Sequence, residues 1–330
     1  MKNKFLLSVS GLNITLEKGS KTLTIVRDLS FSIRQGDILG LIGESGSGKS
    51  LTALSIMGLL PNKNFRVTGD IVFNGVNLNQ LNKKNRRKYL GNEISMIFQE
   101  PMTSLNPLVQ VGKQISEPLK IHQSLNDKQA YSSVIKAMGL AELPNPEAIY
   151  NYYPHQLSGG LRQRVMIAMA LVCTPKLLIA DEPTTALDVV VQKEILTSIK
   201  KISKELNISV LFISHDLRVI KSICNDIAVL YAGSLMEYGK CTHVFSKPQN
   251  EYTKALLLSI PKPEQKGKLL DAIPGIVPPT GHIFSGCPFS PRCKQVKDIC
   301  KYKMPDFHSE NENHFYACHK EEESGERKNT

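Results

Sequence analysis

Tryptophan is absent from all 330 residues, and aromatic residues make up only 6%. No indole is therefore available to stack on a ligand ring. No window of about 18 residues is apolar without a charge, which excludes a membrane-spanning helix. The apolar stretch in the N-terminal MKNKFLLSVSGLN is too short for a secretory signal, so a cytosolic protein is expected. Acidic residues are in deficit, with 30 Asp and Glu against 41 Lys and Arg. There is no internal repeat. What remains is ordinary for a globular chain: 41% hydrophobic and 22% charged residues exclude disorder throughout. The length suggests about two domains.

The charge and the cysteines are unevenly placed. Residues 261–330 carry 11 basic and 10 acidic side chains, so nearly all of the +11 net charge lies before residue 261. Such an excess fits nucleic acid, an anionic membrane surface or an anionic ligand. Of seven cysteines, Cys287, Cys293, Cys300 and Cys318 fall in the last 44 residues.

Short apolar or alternating segments at 6–16, 23–26 and 29–33 predict strands, and 37–42 a buried one. A helix is expected over 49–60, stopped by Pro61. A hairpin is expected over 66–80, with Asn74-Gly75 as its turn. Helical signals dominate from about 100 to 160, most clearly at 127–138. Buried strands follow at 177–180, 210–213 and 227–231. A helix over 189–206 lies behind the N-cap Asp188, and a last helix spans 252–260. Alternation of this kind predicts an α/β fold with a mainly parallel, helix-flanked sheet. Prolines then crowd the chain, which places a boundary near 260. The tail 321–330 is polar and expected to fray.

Gly43-Glu44-Ser45-Gly46-Ser47-Gly48-Lys49-Ser50 fits GxxxxGK[ST] between a predicted strand and a predicted helix, the context that defines a P-loop. Glycines let backbone N–H groups wrap a phosphate, and the helix N-terminus adds partial positive charge. Lys49 is expected on the β/γ-phosphates and Ser50 on Mg²⁺. The run 177–183 is an apolar strand ending in Asp181-Glu182-Pro183. It should deliver Asp181 to Mg²⁺ through water and Glu182 as general base to the attacking water.

With these two motifs in place, the chain resembles the ATP-binding cassette (ABC) family over about residues 5–260. Leu157-Ser158-Gly159-Gly160-Leu161-Arg162-Gln163-Arg164 is similar to the family signature, in which Ser158, Gly159 and Gly160 would close on the γ-phosphate held by an opposite cassette. Gln99 matches the Q-loop, which senses Mg²⁺ and couples to the membrane partner. Ala186-Leu187-Asp188 matches the D-loop, and His215 the switch histidine that contacts the γ-phosphate. The resemblance implies a P-loop NTPase fold: a mixed, mainly parallel core sheet, an antiparallel β subdomain and a helical subdomain at about 100–160. The family usually stacks adenine on an aromatic residue. Leu16 occupies that position here, so adenine would rest on aliphatic side chains such as Leu16 and Val26.

Three further stretches resemble the oligopeptide/dipeptide importers: 99–107 (Gln99-Glu100-Pro101-Met102-Thr103-Ser104-Leu105-Asn106-Pro107), 153–157 and 252–257. Asn250-Glu251 stand where His-Pro usually precedes the third. The tail, with Gly286-Cys287-Pro288-Phe289-Ser290-Pro291-Arg292-Cys293, then Cys300 and Cys318, is similar to the C-terminal domain of that subfamily. Residues 261–330 are thus expected to form a small Pro/Cys-rich domain after the cassette 1–260. Four clustered thiols in reducing cytosol suggest a metal before disulfides, and thiolates alone suit zinc or iron–sulfur. The resemblance points to a [4Fe–4S] cluster, with Zn²⁺ or an unmetallated or disulfide-bonded tail as alternatives; His314 and His319 are spare ligand candidates, expected to be bystanders.

The resemblance implies the ATPase subunit of a peptide importer, peripheral on the cytoplasmic face of the cell membrane. Its partners would be a second cassette of different sequence, two permease subunits and an extracytoplasmic substrate-binding protein, with no nucleic acid. The same machinery imports nickel, opines or antimicrobial peptides. A soluble ABC ATPase acting on ribosomes or DNA would carry tandem cassettes or a coiled-coil insertion, and neither is here. A degenerate cassette is disfavoured by intact Lys49, Asp181, Glu182 and His215. The basic run Lys83-Lys84-Asn85-Arg86-Arg87-Lys88 is expected to be solvated surface, the alternative being contact with lipid headgroups or a permease.

Overall fold

The computed structural model describes residues 5–99, 104–185, 187–261 and 272–319. Expectations that touch Glu100, Pro101, Met102, Thr103, Ala186 or the tail 321–330 lie outside the described residues. The chain divides into two compact units that interleave along the sequence: residues 1–7, 32–38 and 72–213 in one, and 8–31, 39–71 and 214–330 in the other.

The first unit is built on three parallel strands, β6 (Ile94–Ile97), β7 (Leu177–Asp181) and β8 (Ser209–Ile213). Ile94 pairs with Leu177, and Asp181 with Ile213. Every residue of the three is buried, which is what a parallel sheet covered on both faces requires. The region expected to be helical holds α3 (Val111–Gln123), α4 (Asp127–Leu140) and the short α5 (Pro146–Ile149). Ser124 in the left-handed conformation ends α3. A reciprocal capping box between Asn126 and Gln129 starts α4. Helix α6 (Gly159–Leu171) packs on both α3 and α4, and α7 (Val189–Leu206) starts at the Asp188 cap. The unit also holds the one-turn helix α2 (Lys83–Arg86); Lys83, Lys84, Arg87 and Lys88 of the basic run are exposed, and Arg86 is half-buried. In the expected turn, Asn74 and Gly75 both have positive φ, closing Phe73 onto Val76 of β5 (Val76–Asn77).

In the second unit, β3 (Ile38–Ile42) runs parallel to β9 (Asp226–Tyr231), with Leu39 opposite Asp226. Strand β10 (Ser234–Lys240) pairs antiparallel with β9, β12 (His314–Ala317) with β10, and β11 (Phe307–Asn311) with β12. The C-terminal residues thus extend the sheet of this unit. A second sheet places β1 (Leu7–Lys18) between β2 (Lys21–Ile33) and β4 (Phe65–Phe73). Helix α1 (Lys49–Met57) ends at Gly58, three residues before Pro61. Helices α8 (Leu217–Ile223), α9 (Cys241–Ser246) and α10 (Glu251–Leu258) complete the unit. Among the described residues no helix is long and apolar enough to cross a membrane.

Candidate functional site: a phosphate loop and an acidic strand end

The apolar strand β3 buries all five of its residues and releases the chain into the P-loop. Two glycines are required there by contact as well as by φ. A Cβ on Gly43, at φ 154°, would stand 2.1 Å from the Leu230 carbonyl oxygen. One on Gly48, at φ 96°, would stand 2.7 Å from the Val26 side chain. Ser45 and Gly46 at the crest are exposed, while Ser47, Gly48 and Lys49 are buried and Ser50 half-buried. The Lys49 ammonium donates to the carbonyls of Gly43 (2.8 Å) and Glu44 (3.0 Å), folding back across the loop. The loop thus combines an exposed crest, a helix start and a fixed cation, the elements of an anion site.

Val26 is fully buried against the Gly48 position, so its side chain is not available to carry an adenine. Leu16, half-buried on β1, is the aliphatic residue of the expected pair that retains an open face.

In the other unit, β7 ends in the buried Asp181 and hands on to Glu182, which is half-buried and held at φ 46°. A non-glycine residue in that region stores strain, as functional positions often do. The turn is pinned by the Glu182 amide donating to Ile213 (3.0 Å). The carboxylate accepts from the Thr185 hydroxyl (3.0 Å) and from the Gln99 amide (3.3 Å). Gln99 and Glu182, 83 positions apart, are thus brought together.

The signature residues open α6. Ser158 is its N-cap, accepting from the Leu161 amide at 3.4 Å. Ser158 and Gly159 are exposed, and a Cβ on Gly160 would meet Val191 of α7 at 2.9 Å. Asp188 caps α7 by accepting from the amides of Val190 and Val191, both at 3.0 Å. His215 is exposed between β8 and α8. Its neighbour Asp216 is held below the usual carboxylate range: burial opposes this, and the hydrogen bonds and charge of Arg218 outweigh it.

None of the seven cysteines forms a disulfide. The Cys287 thiol is pushed up to about 12, first by burial and further by the neighbouring Cys300, Cys318 and Cys293. Yet among the described residues no group of three or more His, Cys, Asp or Glu is arranged to hold a metal ion. The expected [4Fe–4S] cluster, and the zinc alternative, are thus not supported by the placement of these side chains.

Sequence reasoning passed over Thr185 and the aromatic cluster of Tyr231, Tyr252 and Phe289, whose ring centroids lie 4.6–5.3 Å apart. The Tyr252 hydroxyl accepts from the Glu44 amide at 3.0 Å, joining that cluster to the P-loop. Tyr252 was visible in the subfamily stretch 252–257, but nothing in that stretch pointed to the loop.

This fold and this loop define an ATP-binding cassette protein. The family model for ABC transporters matches residues 26–185. A second, for the C-terminal region of oligopeptide/dipeptide transporters, matches residues 236–300. The chain belongs to the ATP-binding subunits of ABC transporters, in the oligopeptide/dipeptide group. It is 44% identical over 300 residues to the oligopeptide transport ATP-binding protein OppD of Escherichia coli, covering 91% of this chain and 89% of that protein. It is also 44% identical to OppD of Haemophilus influenzae, over 90% and 91% of the two chains. Among solved structures, a dimeric post-hydrolysis state of the cassette MJ0796 bound to ADP and Pi matches with a TM-score of 0.64 and 26% identity. The match covers 71% of this chain and 98% of that one. CbiO1 of Clostridium perfringens, part of an ABC transporter complex, matches with a TM-score of 0.63 and 26% identity, over 74% and 92%.

Proposed function

We propose that this chain hydrolyses ATP to drive uptake of di- and oligopeptides through a membrane permease. The observation that carries this reading is 44% identity, over nine-tenths of the chain, to proteins named for oligopeptide transport. The P-loop amides and Lys49 take the nucleotide phosphates, with Ser50 and Asp181 as the residues for Mg²⁺, Asp181 through water. The metal supplies charge neutralisation at the phosphates. Glu182 polarises the attacking water and Gln99 reports on the metal, roles supported by their mutual hydrogen bond. His215 contacts the γ-phosphate.

Ser158, Gly159 and Gly160 complete the site of a second cassette, with Asp188 in the D-loop between them. The exposure of Ser158 and Gly159 and the dimeric state of MJ0796 support this. The second cassette is a different chain, and two permease subunits and a substrate-binding protein complete the importer. The chain then sits peripherally on the cytoplasmic face of the membrane. Residues 1–260 serve as the cassette, with the helical subdomain at about 100–160, and 261–330 as its extension. A metal at Cys287, Cys293, Cys300 and Cys318 rests on family resemblance alone, and iron and zinc analysis of anaerobically purified protein tests it.

The whole reading is tested in proteoliposomes holding this chain with its permease and second cassette. ATP-dependent accumulation of labelled peptide is expected. Accumulation of nickel but not peptide would overturn the peptide assignment.

A further inference from the structure

Arg292 belongs to the C-terminal extension, 248 positions from the P-loop residue it touches. Its side chain is only 5% exposed. The guanidinium grips the Glu44 carboxylate with both arms, Nη1 to Oε2 at 2.6 Å and Nη2 to Oε1 at 3.1 Å. Such a paired geometry is available to arginine and not to lysine. The remaining donors are also committed: Nε to the Pro274 carbonyl at 2.8 Å, and Nη1 to the Tyr231 hydroxyl at 3.2 Å. The Tyr231 ring lies 5.7 Å from the guanidinium carbon. Arg292 is thus built into the extension and aimed at one loop residue.

That residue is held on every side. Its amide donates to Tyr252, its carbonyl accepts from Lys49, and its carboxylate accepts from Arg292. Glu44 also brings a negative charge into a loop that must receive polyanionic phosphates. Paired with a buried guanidinium, that charge is cancelled and drawn toward the extension. Unpaired, it would repel the ligand through a medium that screens poorly.

We propose that Arg292 is a positioning residue of the P-loop, neutralising Glu44 and fixing the loop for the nucleotide phosphates, so that the C-terminal extension sets the nucleotide affinity of the cassette. This rests on the reading of the P-loop as a nucleotide site.

The test is titration calorimetry of the full chain with Mg-ADP, with steady-state ATPase in the assembled importer. Arg292→Ala is expected to weaken Mg-ADP binding about tenfold and raise the KM for ATP comparably, with kcat changed less than about threefold. Arg292→Lys recovers only part of the loss. The double variant Glu44→Gln/Arg292→Ala returns affinity to within about threefold of wild type, because the repelling charge is gone. A purely structural prop would show no such rescue. Wild-type affinity in Arg292→Ala, or failure of Glu44→Gln to rescue it, overturns the proposal. Should Arg292→Ala not fold, Arg292→Gln with and without Glu44→Gln reads the same charge effect. If the wild-type chain binds no Mg-ADP and matches Lys49→Ala, the nucleotide reading itself has failed. Wild-type binding that is lost in Lys49→Ala but untouched in Arg292→Ala overturns this inference alone.

Discussion

Glu237 of β10 and His314 of β12 meet in a buried hydrogen bond of 2.6 Å, with both side chains 2% exposed or less. The Glu237 carboxylate also accepts from the backbone amides of Gln249 (2.7 Å) and Asn250 (3.1 Å), and His314 Nδ1 lies 3.3 Å from Glu310. One carboxylate therefore joins a cassette strand, the turn before α10 and the C-terminal hairpin. Replacing it with alanine strands two amides and an imidazole without an acceptor. Glu237→Ala should lower stability by about 3–5 kcal/mol in denaturant unfolding. Glu237→Gln, which keeps one acceptor oxygen, should cost less. Equal stability of Glu237→Ala and wild type would mean that β12 does not depend on this bond.

Glu182→Gln keeps the side-chain shape and an acceptor oxygen but removes the base. Turnover should fall on the order of 10²–10⁴-fold. Mg-ATP binding should persist, and the cassettes should accumulate as an ATP-bound dimer by size-exclusion chromatography. Turnover at the wild-type rate would remove Glu182 from the base role.

Much of this architecture was legible in the sequence because its signals are local. The helix over 189–206 matches α7 in both bounds, since the Asp188 cap and the apolar period agree. The Asn74-Gly75 turn was visible for the same reason, as were the buried strands read at 177–180 and 210–213, each one residue short of β7 and β8. Strands 23–26 and 29–33, read apart, are one strand, β2, from Lys21 to Ile33. Asp28 lies between them at φ 42° without breaking the ladder. Strands β10, β11 and β12 were not foreseen. β11 and β12 hold only nine residues between them and gain their order by pairing, β12 onto β10. The P-loop, Gln99, Glu182 and Ser158 could be placed from motifs. The Arg292–Glu44 pair could not, because a contact across 248 residues leaves no periodic trace.

Two cysteines outside the tail offer a readout that depends on packing alone. Cys173 and Cys241 are buried, and desolvation raises each thiol from 9.0 to about 11. Both should resist alkylation by iodoacetamide at pH 8 in the native chain and react on unfolding. The folded chain holds these protons where the unfolded chain has lost them. Their contribution to stability is therefore complete below pH 9 and declines as pH rises from about 9 to 11, by at most about 1.4 kcal/mol per unit for each thiol. Removing one thiol as Cys173→Ala should flatten that decline. Rapid native labelling of Cys173 at pH 8 would contradict its burial.

Two glycines of the P-loop separate contact from conformation. Gly43 and Gly46 both have positive φ, at 154° and 79°. A Cβ on Gly43 meets a backbone carbonyl at 2.1 Å, and β9, which carries it, is locked in parallel register with β3. A Cβ on Gly46 meets only the Thr280 hydroxyl at 3.6 Å, an ordinary contact. Gly46→Ala should therefore pay only backbone strain, about 1–3 kcal/mol, and retain measurable Mg-ADP binding. Gly43→Ala must displace the loop or the strand as well. It should abolish Mg-ADP binding in calorimetry and lower the melting temperature further than Gly46→Ala. If the two variants bind Mg-ADP equally, the close approach of Gly43 to Leu230 does not set the shape of the loop.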